Sequence, residues 1–419
     1  MFNQKFNQNY QTPNQNQTSD QELSQKFSQN QTPDQKFNQK FNKKLNENRI
    51  AVISSGNGGQ TMAAYFANMG YSVSLYVREE ERATMFPKDK VFRLRGLVRG
   101  DPVVDLISHD MKTVTTNAHL IMVTTPAQYH HIIAREMASC LEDGQIIILN
   151  PGRSFGTYVF EKMLSQYNCQ AKVIIAETDT FVFACRCEKV AEPYIHGFKK
   201  RLNVAAHKKN DTPTVAKVLS LKFPNIVRPV ASTVYTSFSN IGLVFHPLPF
   251  LLNITRAERR ERFFIYAEGI TPLVADMLER LDAERVAVAR AFGADVLPAF
   301  DWLKEHYGAE GGSLYERIQN TEAYMKIIAP VDLYSRYIFE DIPTGLVPIS
   351  FAGKAIGCAT PVIDSAIAWA GSIYGMDFRK DGRNDEMIDF GALITPPTYY
   401  PAPGFTPESS TEATPERSF

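Results

Sequence analysis

The sequence predicts an α/β plus all-α protein, with an N-terminal Rossmann-type doubly wound sheet followed by a mostly helical domain. Three observations predict it. Between 49 and 177, apolar runs of strand length alternate with helix-patterned segments, the rhythm of a parallel sheet covered by helices. The first run ends in a glycine-rich turn that opens a helix, Ser54-Ser-Gly-Asn-Gly-Gly59. From about Val230 the pattern changes, with apolar residues recurring every three or four positions.

The elements follow in order. Residues 1–47 repeat QKFNQ or QKFSQ (4–8, 25–29, 35–39) and QTP (11–13, 31–33) at irregular spacing. Such a polar segment cannot bury enough apolar surface to offset its chain entropy, so it reads as a disordered Asn/Gln-rich tail. It holds no apolar core of signal-peptide length. The strands are RIAVIS (49–54), SVSLYV (72–77), HLIMVTT (119–125), QIIILN (145–150) and KVIIAE (172–177), with a helix between the first two that closes at Gly70. TFVFACR (180–186) and RLNVAAH (201–207) are expected to extend the same sheet. The segment 261–293 reads as one long helix that stops at Gly293. Pro, Thr, Ser and Glu dominate from Thr395. The expected organisation is therefore a tail (1–47), a Rossmann domain (48–229), a mostly helical domain (230–394) and a second disordered tail (395–419).

Bulk properties narrow the function. The 419 residues carry 45 Lys plus Arg against 45 Asp plus Glu, a balance that argues against nucleic acid or an anionic membrane as the main partner. No run is long and apolar enough to span a bilayer, and the closest, 351–374, contains Lys354 and Asp364. Five scattered cysteines suit a reducing, cytoplasmic compartment rather than a disulfide framework. Cys185 and Cys187 form a C-x-C pair without the second pair a structural zinc site requires, so no metal is expected. Oligomeric state is not specified, and a homodimer is compatible with the sequence.

The turn after the first strand carries most of the chemistry in this half. Gly56 and Gly59 match the second and third glycines of the dinucleotide fingerprint, with Asn57 and Gly58 between them and Ser54 in place of the first. The bland alternative is an ordinary strand–helix turn. Its place inside a β-α-β unit favours dinucleotide binding, where free helix N–H groups meet the pyrophosphate. The second strand ends with Arg78 where an NAD enzyme would carry an acid, which favours NADP over NAD, because arginine pairs with a 2′-phosphate. Glu79 and Glu80 follow at once, and the competing reading of Arg78 is a solvated surface charge. TTPAQYHH (124–131) and LNPGRSFG (149–156) lie at strand ends that face the ligand crevice, which makes Thr125 and Pro126 cofactor candidates; turn chemistry alone would also account for them.

In the second half, FSNIGLVFHPLPFLLN (238–253) places one histidine, His246, in an apolar stretch. It is either a buried ring with satisfied nitrogens or a proton carrier in a pocket. Further on, the stretch from Tyr334 to Ile367 holds Arg336 and Asp341, then closely spaced prolines and glycines.

At these residues the chain from about 49 to 394 resembles the opine dehydrogenase family. The matching pieces are GNGG (56–59), TPAQYH (125–130), NPGRSFG (150–156), ETDTFVFACR (177–186), FHPLPF (245–250) and RYIFEDIPTGLVP (336–348). The resemblance implies reductive condensation of a 2-oxo acid, often pyruvate, with the amino group of an amino acid. NADH or NADPH supplies hydride to the imine carbon, and the product is a secondary-amine dicarboxylic acid. It also implies that His246 is the catalytic histidine, that Asp341 is its partner, and that Arg336, five residues earlier, holds a substrate carboxylate. These residue types suit the task. A histidine exchanges protons near neutral pH, a carboxylate fixes its tautomer, and an arginine fork grips the planar carboxylate of a 2-oxo acid. Pro247 and Pro249 are expected to hold the backbone beside His246 in an extended path. Ser54 and the long N-terminal extension depart from the family pattern. Two other readings remain: a simple 2-oxo acid or 2-hydroxy acid oxidoreductase that needs no amine, and a non-catalytic NAD(P)-binding sensor.

Overall fold

The computed structural model describes residues 48–394; the two tails expected to be disordered lie outside the described residues. Eleven strands are present among them: β1 Arg49–Ile53, β2 Ser72–Tyr76, β3 Arg95–Gly96, β4 Leu106–Ser108, β5 Leu120–Val123, β6 Ile146–Leu149, β7 Ile174–Thr178, β8 Phe183–Cys187, β9 Pro193–Phe198, β10 Leu202–Ala206 and β11 Val227–Pro229. Eight of them form one sheet in the order β11-β10-β7-β6-β5-β1-β2-β4. β1 lies between β2 and β5, with Ile50 opposite both Val73 and Leu120. All neighbours in this sheet are parallel except β10, which runs antiparallel to β7. The order reverses beside β1, so the glycine-rich turn sits at the switch point where doubly wound sheets bind ligands. The α/β plus helical fold class read from the sequence is the one observed.

One expected strand goes elsewhere. Leu202–Ala206 joins the large sheet, but Phe183–Cys187 does not; it pairs antiparallel with β9 in a separate three-stranded sheet ordered β3-β9-β8. Burial explains the difference. All five residues of β10 are buried, as a strand covered on both faces requires, whereas β8 alternates, with Phe183 buried and Ala184 and Arg186 exposed. The buried face of the small sheet packs on the helix Asn57–Asn68, where the Tyr65 ring meets Phe183 at 5.2 Å and Phe198 at 5.7 Å.

The long helix is also shorter than its pattern suggests. It spans Pro272–Ala291, while the residues before it form a bridge and a turn, with Phe264 bridged to Ile328, the Ile265 N–H donating to the Ile327 carbonyl at 3.0 Å and the Glu268 N–H to the Phe264 carbonyl at 2.8 Å. Pro272 explains the start, since it has no N–H to contribute to a preceding turn, and Thr271 caps the Val274 N–H. Gly293 does end the helix, at a positive φ of 74°. Buried Arg285 on this helix donates to Asp282 and to the carbonyls of Phe238 and Leu297, which fixes the helix against the segment that leads to His246. No described helix is long and apolar enough to cross a membrane.

Candidate active site

The glycine-rich turn is built for close contact. A Cβ on Gly59 would lie 1.7 Å from the Ser54 carbonyl oxygen, so only glycine lets this helix meet β1. Gly56 caps the helix in an extended conformation, and a Cβ there would meet only the Ser54 hydroxyl, at 3.6 Å. Ser54 itself holds a φ of 137°, a region that favours glycine, and its Oγ accepts the Gly56 N–H at 3.2 Å. The serine thus keeps the glycine conformation of the fingerprint and offsets part of its strain with a local hydrogen bond. No acidic residue occupies the first helical turn. These features fit a dinucleotide's pyrophosphate.

A cavity of about 610 Å³ opens from this turn and runs to the helical half. Asn57, Gly58, Thr125 and Pro126 line it from the sheet half, and His246 and Arg336 from the helical half. Ser54, Gly56 and Gly59 shape the turn behind that wall. Arg78 is exposed just beyond β2, with its guanidinium 5.7 Å from the centre of the Tyr129 ring, and it is not on the cavity wall. Arg82, which the sequence reading passed over, reaches back to the Ser55 carbonyl at 3.4 Å.

His246 stands between two short helices, Gly242–Phe245 and Pro247–Leu252. The expectation that the prolines impose an extended path is therefore corrected. Pro247 opens the second helix, at a position where a missing N–H is harmless, and the Phe250 N–H reaches the His246 carbonyl at 3.2 Å. The ring stacks on Tyr337 with centroids 4.2 Å apart and planes 5° from parallel. Its Nδ1 lies 2.8 Å from Asp341 Oδ2. Asp341 is 1% exposed, against 22% for the His246 side chain, so the carboxylate sits behind the ring and the ring meets the cavity. A π-helical turn, Ile342–Leu346, carries Asp341 into place. The Asp341 N–H bonds to the Arg336 carbonyl five residues back at 3.2 Å, which brings together two residues the sequence only spaced.

Arg336 is 61% exposed along its side chain, and its Nε donates to buried Glu340 at 2.5 Å. Glu340 also accepts the Ala127 N–H at 3.0 Å, linking the helical half to the TPAQYH turn. Burial pushes its pKa up, but Arg153 and Arg336 outweigh that and hold it at about 2. Arg153, in the NPGRSFG turn, lies 3.5 Å from both Glu340 Oε1 and Asp341 Oδ1. Neither Arg153 nor Glu340 was singled out from sequence. An arginine two residues past the strand-end Asn150-Pro151 faces the ligand crevice by topology, and that was the available signal. Arg383 was not legible at all. It is buried, and it donates to the carbonyls of Gly152, Ser154 and Ala127 and meets His130 Nδ1 at 3.1 Å, so a residue near the end of the described chain ties the two strand-end turns together. Cys185 and Cys187 lie on β8, and the Cys187 thiol donates to Gln60 Oε1 at 3.2 Å.

Both halves of the chain resemble known proteins. Residues 229–374 match the family described as NAD/NADP octopine/nopaline dehydrogenase, alpha-helical domain, and residues 49–152 match the NAD-dependent glycerol-3-phosphate dehydrogenase N-terminus. An opine dehydrogenase from Arthrobacter sp. (strain 1C) is 36% identical over 344 residues, covering 82% of this chain and 95% of that one. The chain belongs to the opine dehydrogenase family. The octopine dehydrogenase of Pecten maximus is a more distant relative, 24% identical over 80% of this chain and 92% of its own. Among solved structures, an octopine dehydrogenase with NADH and L-arginine superposes with a TM-score of 0.71 at 21% identity, over 82% of this chain and 95% of that one. A yersinopine dehydrogenase with NADP+ gives 0.64 at 13% identity, over 83% and 97%. As an opine dehydrogenase, the protein is an NAD(P)-dependent oxidoreductase acting on CH–NH groups, and its reaction is in general terms a reductive condensation of small molecules.

Proposed function

We propose that this opine dehydrogenase condenses a pyruvate-like 2-oxo acid with the amino group of an amino acid, that His246 and Asp341 are its acid–base pair, that Arg336 is a carboxylate clamp, and that NADPH is preferred to NADH. The observation that carries the reading is the 2.8 Å His246–Asp341 contact on the wall of the cavity that also reaches Asn57 and Thr125.

The overall balance is a 2-oxo acid, an amino acid, NAD(P)H and a proton giving a secondary-amine dicarboxylate, NAD(P)+ and water. The reduced cofactor supplies the hydride. The chain's own groups supply the rest. With Nδ1–H donating to Asp341, the His246 Nε2 is the ring position left for the reactants. It takes a proton as the amine adds to the carbonyl and returns one to the departing hydroxyl as water leaves the imine. Asp341 stabilises the imidazolium between those steps. Arg336 is held through Nε, which leaves its terminal nitrogens for a carboxylate. Preference for NADPH rests on Arg78 at the end of β2, with Arg82 beside the turn.

The test is oxidation of NADPH and of NADH with pyruvate and a panel of amino acids, alongside amine-free blanks. Amine-dependent oxidation is expected, faster at low concentrations of NADPH than of NADH. Equal oxidation in the blanks would replace this reading with a simple 2-oxo acid reductase.

A further inference from the structure

We infer that Arg153 is a second carboxylate grip that holds the 2-oxo acid, leaving Arg336 to hold the carboxylate of the amino acid. This rests on the substrate pair proposed above. The product carries two carboxylates, so a site that makes it has use for two cationic grips. The family resemblance led to Arg336 as the grip on the 2-oxo acid; the geometry points to a different division.

Placement is the first argument. The carbon that accepts hydride belongs to the 2-oxo acid, so that substrate lies between the strand-end crevice, where a doubly wound sheet binds its cofactor, and the proton carrier. Arg153 stands in that interval. It follows β6 in the wall formed by Asn150 and Pro151, and its Nη1 lies 3.5 Å from the Asp341 oxygen that His246 does not use. Arg336 approaches from the helical side, with most of its side chain exposed.

Unmet hydrogen-bonding capacity is the second. A guanidinium has five N–H donors. The shortest polar contact of Arg153 is from Nη1 to Asn240 Oδ1, at 3.2 Å. Its two acidic neighbours are at 3.5 Å, beyond the roughly 2.7–2.9 Å of a charge-assisted hydrogen bond, and each is shared, Glu340 with Arg336 and Asp341 with His246. Among the described residues, Arg153 Nε and Asp341 Oδ1 are both buried without a hydrogen-bond partner. A buried arginine with hydrogen-bonding capacity still unmet, on a cavity wall and only 12% exposed, is poised for an anion.

Gly242 keeps the cluster together. A Cβ there would fall 2.6 Å from Arg153 Nη1 and 3.0 Å from Asp341 Oδ1, so any side chain would push the arginine from its place.

The experiment is calorimetric titration of pyruvate into the enzyme saturated with NADPH, without amine so that nothing turns over. Arg153→Gln should weaken pyruvate binding about tenfold or more, on the scale of a lost hydrogen bond to a charged group. Arg153→Lys keeps the charge opposite Glu340 and Asp341, which protects the fold, but loses the planar fork; it should weaken binding by at least about threefold. Arg336→Gln should leave pyruvate affinity within about twofold and instead raise the Michaelis constant for the amino acid. Unchanged pyruvate affinity in both Arg153 variants overturns the inference, as does loss of pyruvate binding in Arg336→Gln alone or a wild-type enzyme that binds no pyruvate. Failure of the parent reading looks different: wild-type enzyme would then show no amine-dependent oxidation, whatever the titrations give.

Discussion

Replacing Glu340 with glutamine tests the charge network that joins the two halves of the site. Glu340 is 2% exposed and touches Arg153, Arg336 and the Ala127 N–H. The amide still accepts from Ala127 but no longer compensates the arginines. Holding the carboxyl at about 2 rather than at its ordinary 4.5 corresponds to about 3 kcal/mol of differential stabilisation of the ionised form. That agrees with the roughly 3–5 kcal/mol lost when one member of a buried ion pair is removed. The sign follows from the depressed folded-state pKa. This contribution is present above the unfolded value of 4.5 and is lost as pH falls through about 2. Urea unfolding of both proteins should show Glu340→Gln less stable by about 3 kcal/mol at neutral pH, with the deficit shrinking steadily below pH 4.5. Equal stability at neutral pH, or a deficit indifferent to pH, would refute the claim that an ionised Glu340 is held by the two arginines.

Four further outcomes are expected. His246→Ala should lower turnover about a hundredfold or more while NADPH still binds in a fluorescence titration; normal turnover would remove His246 from the mechanism. Gly59→Ala places a Cβ 1.7 Å from a backbone oxygen, so the contact between helix and β1 must open, lowering stability by about 1–3 kcal/mol and weakening cofactor binding, both measurable in thermal scans with and without NADPH. Arg78→Ala should raise the Michaelis constant for NADPH about tenfold with little change for NADH, and an unaltered ratio would reduce Arg78 to a surface charge. Burial pushes Glu177 up to about 7, so its contribution to stability is full below 4.5 and is lost as pH rises through about 7; wild-type stability should carry that falling slope, and Glu177→Gln should flatten it.

Much of the site could be read because its chemistry lies in short, contiguous pieces. A glycine-rich turn after a buried strand has few explanations, and both Gly59 and the glycine-like Ser54 behave as that pattern requires. The His246–Asp341 contact was reached through family resemblance, since nothing in composition or periodicity joins residues 95 positions apart. Errors arose where local pattern and tertiary context disagree. Phe183–Cys187 looks like a sheet strand, but its exposed alternate positions fit a sheet covered on one face only. Two prolines after His246 suggest extended chain, yet at the first turn of a helix they cost nothing.

By itself, then, the sequence determined the parallel sheet, the glycine-rich turn and the helical second half, because apolar periodicity and glycine sterics act over a few neighbouring residues. Tertiary structure alone decided which charges meet. Arg153 comes from the end of β6, Glu340 and Asp341 from the start of a π-helical turn, and Arg383 from beyond the last long helix. Charge pairing depends on distance in space, and a buried charge is tolerable only where the fold delivers its partner.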